Sequence, residues 1–141
     1  MKIYLVGSMN FVKNMVEIKK QLEEKGHEVQ LPHDTNKFLN DPNYTTDNHE
    51  EDYKFCLDNN IMKKCFDSVA ESDATLILNY KKGDIEGYVG AFTLMEMAIA
   101  HHFNKKIFLL NPPPDVKEHR STHEVLIAQP IILNGNLDNI K

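Results

Sequence analysis

The sequence predicts an α/β domain in which a doubly wound parallel sheet is flanked by helices. Short apolar segments rich in β-branched residues alternate with segments whose apolar residues recur every three or four positions. The order reads β-α-β-α-β-α-β-α-β, and such alternation favours parallel strands joined by right-handed crossovers. The strand segments show little polar–apolar alternation, as expected of strands covered on both faces. The 141 residues fit one domain over positions 1–141.

Lys2–Val6 is a buried strand closed by Gly7-Ser8. From Asn10 the period changes: Phe11, Met15, Ile18 and Leu22 mark one helical face, and Gly26 caps its end. His27–Leu31 is a second strand, stopped by Pro32. Residues 33–50 are polar, with Pro42 in the middle, and read as a long loop, either a lid or binding loop or simply mobile. One helix then runs through Glu71, with Tyr53, Leu57, Ile61, Cys65 and Val69 at repeated fours. Ala74–Tyr80 is the most apolar strand, Lys81–Gly90 a Gly-containing loop, Ala91–Phe103 a helix and Lys106–Leu110 a strand ended by three prolines. A short helix near His119–Ala128, a strand at Ile131–Asn134 and a terminal turn finish the chain.

Composition narrows the function classes. A net charge of −5 gives no basic surface for a nucleic-acid polymer, and no apolar run approaches the roughly 20 residues of a spanning helix. Cys56 and Cys65 are too few for a disulfide framework, so a reduced, cytoplasmic protein is expected. The seven histidines are dispersed, and adjacent His101-His102 cannot both face one ion from a helix, so no metal site is expected. No phosphate-loop or dinucleotide fingerprint occurs, and no cofactor is implied.

In a doubly wound sheet the ligand sits outside the carboxyl ends of the strands, near the point where strand order reverses. This places Gly7–Asn10, Asn79–Gly90 and Asn111–Pro114 around one crevice, with Gly7, Ser8, Met9, Asn79, Gly87, Gly90 and Asn111 as candidate substrate-binding residues. Ser8 also reads as the N-cap of the first helix, or as an anion contact at its start.

Glu96 is the most informative residue. It is the only Asp, Glu, Lys or Arg between Glu86 and Lys105, in a helix apolar on most of its circumference. A buried carboxylate costs several kcal/mol unless it is paired or its pKa rises. Two explanations stay open. Thr93-Leu94-Met95-Glu96 fits a capping box, with Thr93 as N-cap. Alternatively Glu96 faces the crevice from the first turns of its helix, kept ionised by the helix dipole as a nucleophile toward a sugar.

Ile3–Met9, Ser72–Leu78 and Gly90–Ala100, followed by Lys105–Leu110, together resemble the nucleoside 2-deoxyribosyltransferase superfamily, which includes the 2′-deoxynucleoside 5′-monophosphate N-glycosidases. The resemblance covers nearly the whole chain, and its most specific piece is the glutamate-bearing helix. It implies a five-stranded flavodoxin/Rossmann-like sheet, a homodimer or higher homo-oligomer, and a nucleoside or nucleotide substrate. It implies that Glu96 attacks the anomeric carbon, that water or a nucleobase resolves the glycosyl-enzyme with retention, and that Tyr4 orients the nucleophile. It also marks Asp73 as a substrate-binding candidate.

Where the family carries a second carboxylate, an ungapped reading places Cys65, with Asp67 the nearest acid and so the catalytic candidate. Where some members carry a base-handling acid, this chain has Gly90, with Asp84 farther off. The first loop lacks the arginine of the phosphate-binding members, and Lys13 is the nearest cation. The leading expectation is an N-glycosidase or deoxyribosyltransferase. The alternatives are a nucleoside-binding module of the same fold and an oligomerisation domain, with Tyr88, Phe92 and Met95 available for a subunit contact.

Overall fold

The computed structural model describes residues 1–141. Strands β1 (Lys2–Val6), β2 (Glu28–Gln30), β3 (Ala74–Ile77), β4 (Lys106–Leu109) and β5 (Ile131–Ile132) form one five-stranded sheet in the order β2-β1-β3-β4-β5. Every pairing is parallel. The expected α/β architecture is therefore present. The winding reverses between β1 and β3, and a crevice opens where their carboxyl ends part.

Strand alternation sends side chains to two apolar layers. Ile3, Leu5, Leu76 and Leu78 pack under α1 (Val12–Glu24) through Met15, Ile18 and Leu22, with Leu137 of a C-terminal 3₁₀ turn closing that layer. Tyr4, Val6, Ile77, Ile107 and Leu109 face the other side. They are covered by Ile61, Cys65 and Val69 of α4 (Ile61–Glu71), Met97 and Ala100 of α5 (Ala91–His102), and Val125 of α6 (Thr122–Ile127). Both faces of the sheet are buried, which explains the missing in/out alternation.

The structure departs from the sequence reading between β2 and α4. Residues 33–50 are not one loop: they hold α2 (Thr35–Asn40) and the start of α3 (His49–Asp58). Tertiary packing orders them. Tyr44, 6% exposed, meets Phe38 and Phe55 edge-on at centroid distances of 4.8 and 5.9 Å, and Lys37 Nζ lies 4.8 Å from the Tyr44 ring. The single helix expected through Glu71 is broken at Asn60, whose φ of +51° is left-handed, a conformation that Asn tolerates. Ile61, Cys65 and Val69 reach the core, whereas Tyr53 and Leu57, upstream of the break, stay exposed. β3 stops at Ile77 because β1 has ended at Val6 and Asn79 turns to bond the end of β4.

Candidate active site

The crevice is a cavity of about 250 Å³ at the carboxyl ends of β1 and β3. Gly7, Ser8 and Met9 line it from the end of β1, Pro32 and Asp34 from the segment after β2, and Gly90, Ala91, Phe92, Thr93 and Glu96 from α5 and its lead-in. Asp52 and Cys56 of α3, Ile61 and Cys65 of α4, and Lys82 and Tyr88 of the β3–α5 loop close it. Gly7 is needed for a close approach, since a Cβ there would lie 3.0 Å from the Leu78 carbonyl oxygen.

Glu96 is 4% exposed. Burial, then the Asp34 carboxylate facing it, push its pKa well above the ordinary value, and no cation or hydrogen-bond donor acts in the opposite direction. The capping box does not form. Gly90 is the N-cap residue, Thr93 is the third residue of α5 and Glu96 the sixth. At that position Glu96 lies beyond the first turn, where the dipole is strongest, and desolvation wins. The expectation that the dipole keeps the free carboxylate ionised is thus corrected: burial favours its neutral form.

Tyr4 is fully buried and is not among the residues that line the cavity; its hydroxyl neighbours the Cys65 thiol and the Glu96 carboxyl. Burial, then the neighbouring Glu96 and Cys65, raise its pKa above the ordinary value. Cys65 and Cys56 are pushed up to about 11, chiefly by burial. Ser8 Oγ accepts from the Asn10 amide at 3.4 Å, capping a 3₁₀ turn, and from Lys82 Nζ at 3.3 Å.

Sequence reasoning missed Asp34. It is 9% exposed, lines the cavity, and burial raises its carboxyl to about 6. The available signal was its place two residues beyond Pro32, at the carboxyl end of a strand beside the reversal point. Asp52, whose Oδ1 accepts from Tyr44 Oη at 2.7 Å, Thr46 and Cys56 were also missed, whereas Lys82 and Tyr88 belong to the segment 79–90 expected at the crevice.

Other expected site residues lie elsewhere. Asp67 is exposed on the outer face of α4, paired with Lys63 at 2.5 Å, and does not line the cavity. Asp73 sits at the amino end of β3, opposite the cavity, and its Oδ2 accepts the Lys2 amide at 2.7 Å. Asp84 is exposed at the tip of the turn bridged by Lys82 and Ile85.

Asn79, Gly87 and Asn111 form a clamp on the far side of the β3–α5 loop. Asn79 Nδ2 donates to the Asn111 carbonyl at 2.8 Å and to that of Gly87 at 3.3 Å, and Asn79 Oδ1 accepts the Asn111 amide at 2.9 Å. Gly87 has φ +70°, and a Cβ there would fall 2.1 Å from the Pro112 carbonyl oxygen. These residues and Pro112–Pro114 border a separate surface hollow, so the expected third wall of the crevice belongs to the scaffold.

The fold resembles that of a CMP N-glycosidase, BcmB, from Clostridium botulinum. The two chains are 19% identical, the alignment covers 95% of this chain and 89% of that one, and the TM-score is 0.51. At that identity the likeness establishes the fold. No protein-family profile and no curated protein matches the chain. No helix is long and apolar enough to cross a membrane.

Proposed function

We propose that the chain is an enzyme that cleaves, or transfers at, the N-glycosidic bond of a nucleoside or nucleotide, with Glu96 as nucleophile. One observation carries the reading: a carboxyl group 4% exposed, without cation or hydrogen-bond donor, lines a cavity at the strand-order reversal. A structural role would require a partner for so buried an acid, and none is present. The N-glycosidase fold neighbour and the superfamily resemblance support the same chemistry. Glu96 would bond to C1′ as the C1′–N bond breaks and its electron pair leaves with the base; water or an acceptor base would then release the sugar with retention. Tyr4, beneath Glu96, would orient it.

The same reading takes residues 1–141 as one domain acting in the cytoplasm, without a bound cofactor and with a second copy as partner. Phe92 and Met95 leave exposed apolar surface on α5, with exposed Phe103 just beyond its end, which suits a subunit contact. A light-scattering mass of one chain would remove that part.

The deciding experiment is base release from a panel of nucleosides, deoxynucleosides and their 5′-monophosphates, followed by chromatography, with Glu96→Gln as control. Release by the unmodified chain and its loss in the variant are expected. Equal release by both would overturn the nucleophile. A nucleoside-binding module without chemistry is the second reading, favoured by Cys65 in place of the family's acid; saturable binding without release would establish it.

A further inference from the structure

We propose that Asp34 is the proton donor of this site and that it works with Glu96 as a pair holding one proton between them. This rests on the reading of Glu96 above and supplies the second acid absent from position 65. A departing nucleobase carries away the electron pair of the C1′–N bond and needs a proton. The cavity offers few donors. Asp52 already accepts from Tyr44 at 2.7 Å. Lys82 is engaged by Ser8 Oγ and lies 5.1 Å from the Tyr88 ring centroid. Asp34 is 9% exposed, and its carboxyl receives no hydrogen bond from any other residue. Glu96, unpartnered and 4% exposed, faces it across the same cavity.

Two buried carboxyl groups facing one another disfavour the doubly ionised state, so the pair retains one proton, and its position belongs to the pair. Positive character at C1′ of a bound substrate favours ionised Glu96 and moves the proton to Asp34. Asp34 then gives that proton to the base nitrogen as C1′–N breaks and the Glu96 oxygen–C1′ bond forms. In the second step water attacks C1′ and passes its proton to Asp34, while the ester electron pair returns to Glu96. The pair ends with one proton, as it began. For transfer, an acceptor base N–H replaces water. The groups facing Asp34 are Asp52 and Cys56 of α3, Cys65 of α4, Glu96 of α5, Tyr4 of β1 and Lys82 of the β3–α5 loop.

The test compares Asp34→Asn with the unmodified chain on 2′-deoxyguanosine and on 7-methyl-2′-deoxyguanosine, whose cationic base leaves without a proton. A fall of about 10²- to 10⁴-fold on the first and less than about tenfold on the second is expected. Equal loss on both, or loss on neither, overturns the proposal. A second measurement is independent of turnover. The infrared carbonyl stretch of a protonated carboxyl is followed against pH. The part of the band that persists above about pH 6, where Asp34 alone has lost its proton, should vanish in Glu96→Gln, and its midpoint should fall by about one pH unit or more in Asp34→Asn, because a like charge has been removed. An unmoved midpoint overturns the pair even if neither nucleoside is cleaved. Release unchanged by Glu96→Gln, with the midpoint moved as expected, would instead overturn the nucleophile and leave the pair standing.

Discussion

Asn79 and Glu96 flank the β3–α5 loop, and both are almost wholly removed from solvent. Asn79 uses both side-chain polar atoms to hold Gly87 and Asn111. Glu96 uses neither oxygen on the protein, and faces a second carboxylate across a cavity. The sequence reading placed both at the crevice because both stand near carboxyl ends of strands. Polar satisfaction separates them: a buried group whose hydrogen bonds are internal maintains a shape, and one left open retains its capacity for a ligand.

Substitution of the two should therefore give opposite signatures. Glu96→Gln should lower base release by about 10⁴-fold or more, while thermal unfolding at neutral pH shows no loss of stability, because the variant no longer carries a buried group that ionisation destabilises. Asn79→Ala should do the reverse, with urea unfolding registering a loss of about 2–4 kcal/mol because the Asn111 amide and the Gly87 carbonyl lose their partners. If Glu96→Gln unfolds the protein and spares turnover, the contrast fails.

The contrast also has a pH dependence. Asp34 titrates near its ordinary value of 3.8 when unfolded and at about 6 when folded. A raised folded value means that the folded state holds the proton more tightly. The resulting stabilisation is fully present below about pH 4 and is lost as pH rises through about 6, an effect of about 3 kcal/mol. Glu96, shifted in the same direction, extends the loss to higher pH. Urea midpoints of Asp34→Asn and the unmodified chain should therefore diverge across this range, with the variant losing less as pH rises. Parallel curves would show that Asp34 is solvated, as a surface acid is.

The strands, their order along the chain and the α5 helix were legible because continuous apolar runs and a change of period are local properties, but α5 buries only one face, through Thr93, Glu96, Met97 and Ala100, and is not the wholly buried helix that its apolar circumference suggests. Glu96 was legible because one charge among apolar neighbours is a local anomaly. The break at Asn60, the ordering of residues 33–50 and the arrival of Asp34 were not. Each depends on contacts between distant segments, such as Tyr44 against Phe38 and Phe55. The capping box around Glu96 failed for a related reason: the motif was present, but α5 begins at Ala91, one turn too early for Thr93 to cap it.

Asp67 gives the smallest expected effect and the strictest test of where the second acid lies. Resemblance pointed to it as the acid nearest to Cys65, but α4 turns the two apart. Cys65 faces the sheet at 2% exposure, whereas the Asp67 side chain is 53% exposed and pairs with Lys63 four residues earlier. A residue two positions along a helix is rotated by roughly 200° from the first, so Asp67 cannot share the direction of Cys65. An exposed i,i+4 pair contributes about 0.3–0.5 kcal/mol. Asp67→Asn should therefore change stability by no more than that and leave base release within about twofold, with less dependence still at high salt. A drop in turnover comparable with that of Asp34→Asn would mean that α4 rotates when substrate binds and that the acid comes from this helix, not from the segment after β2.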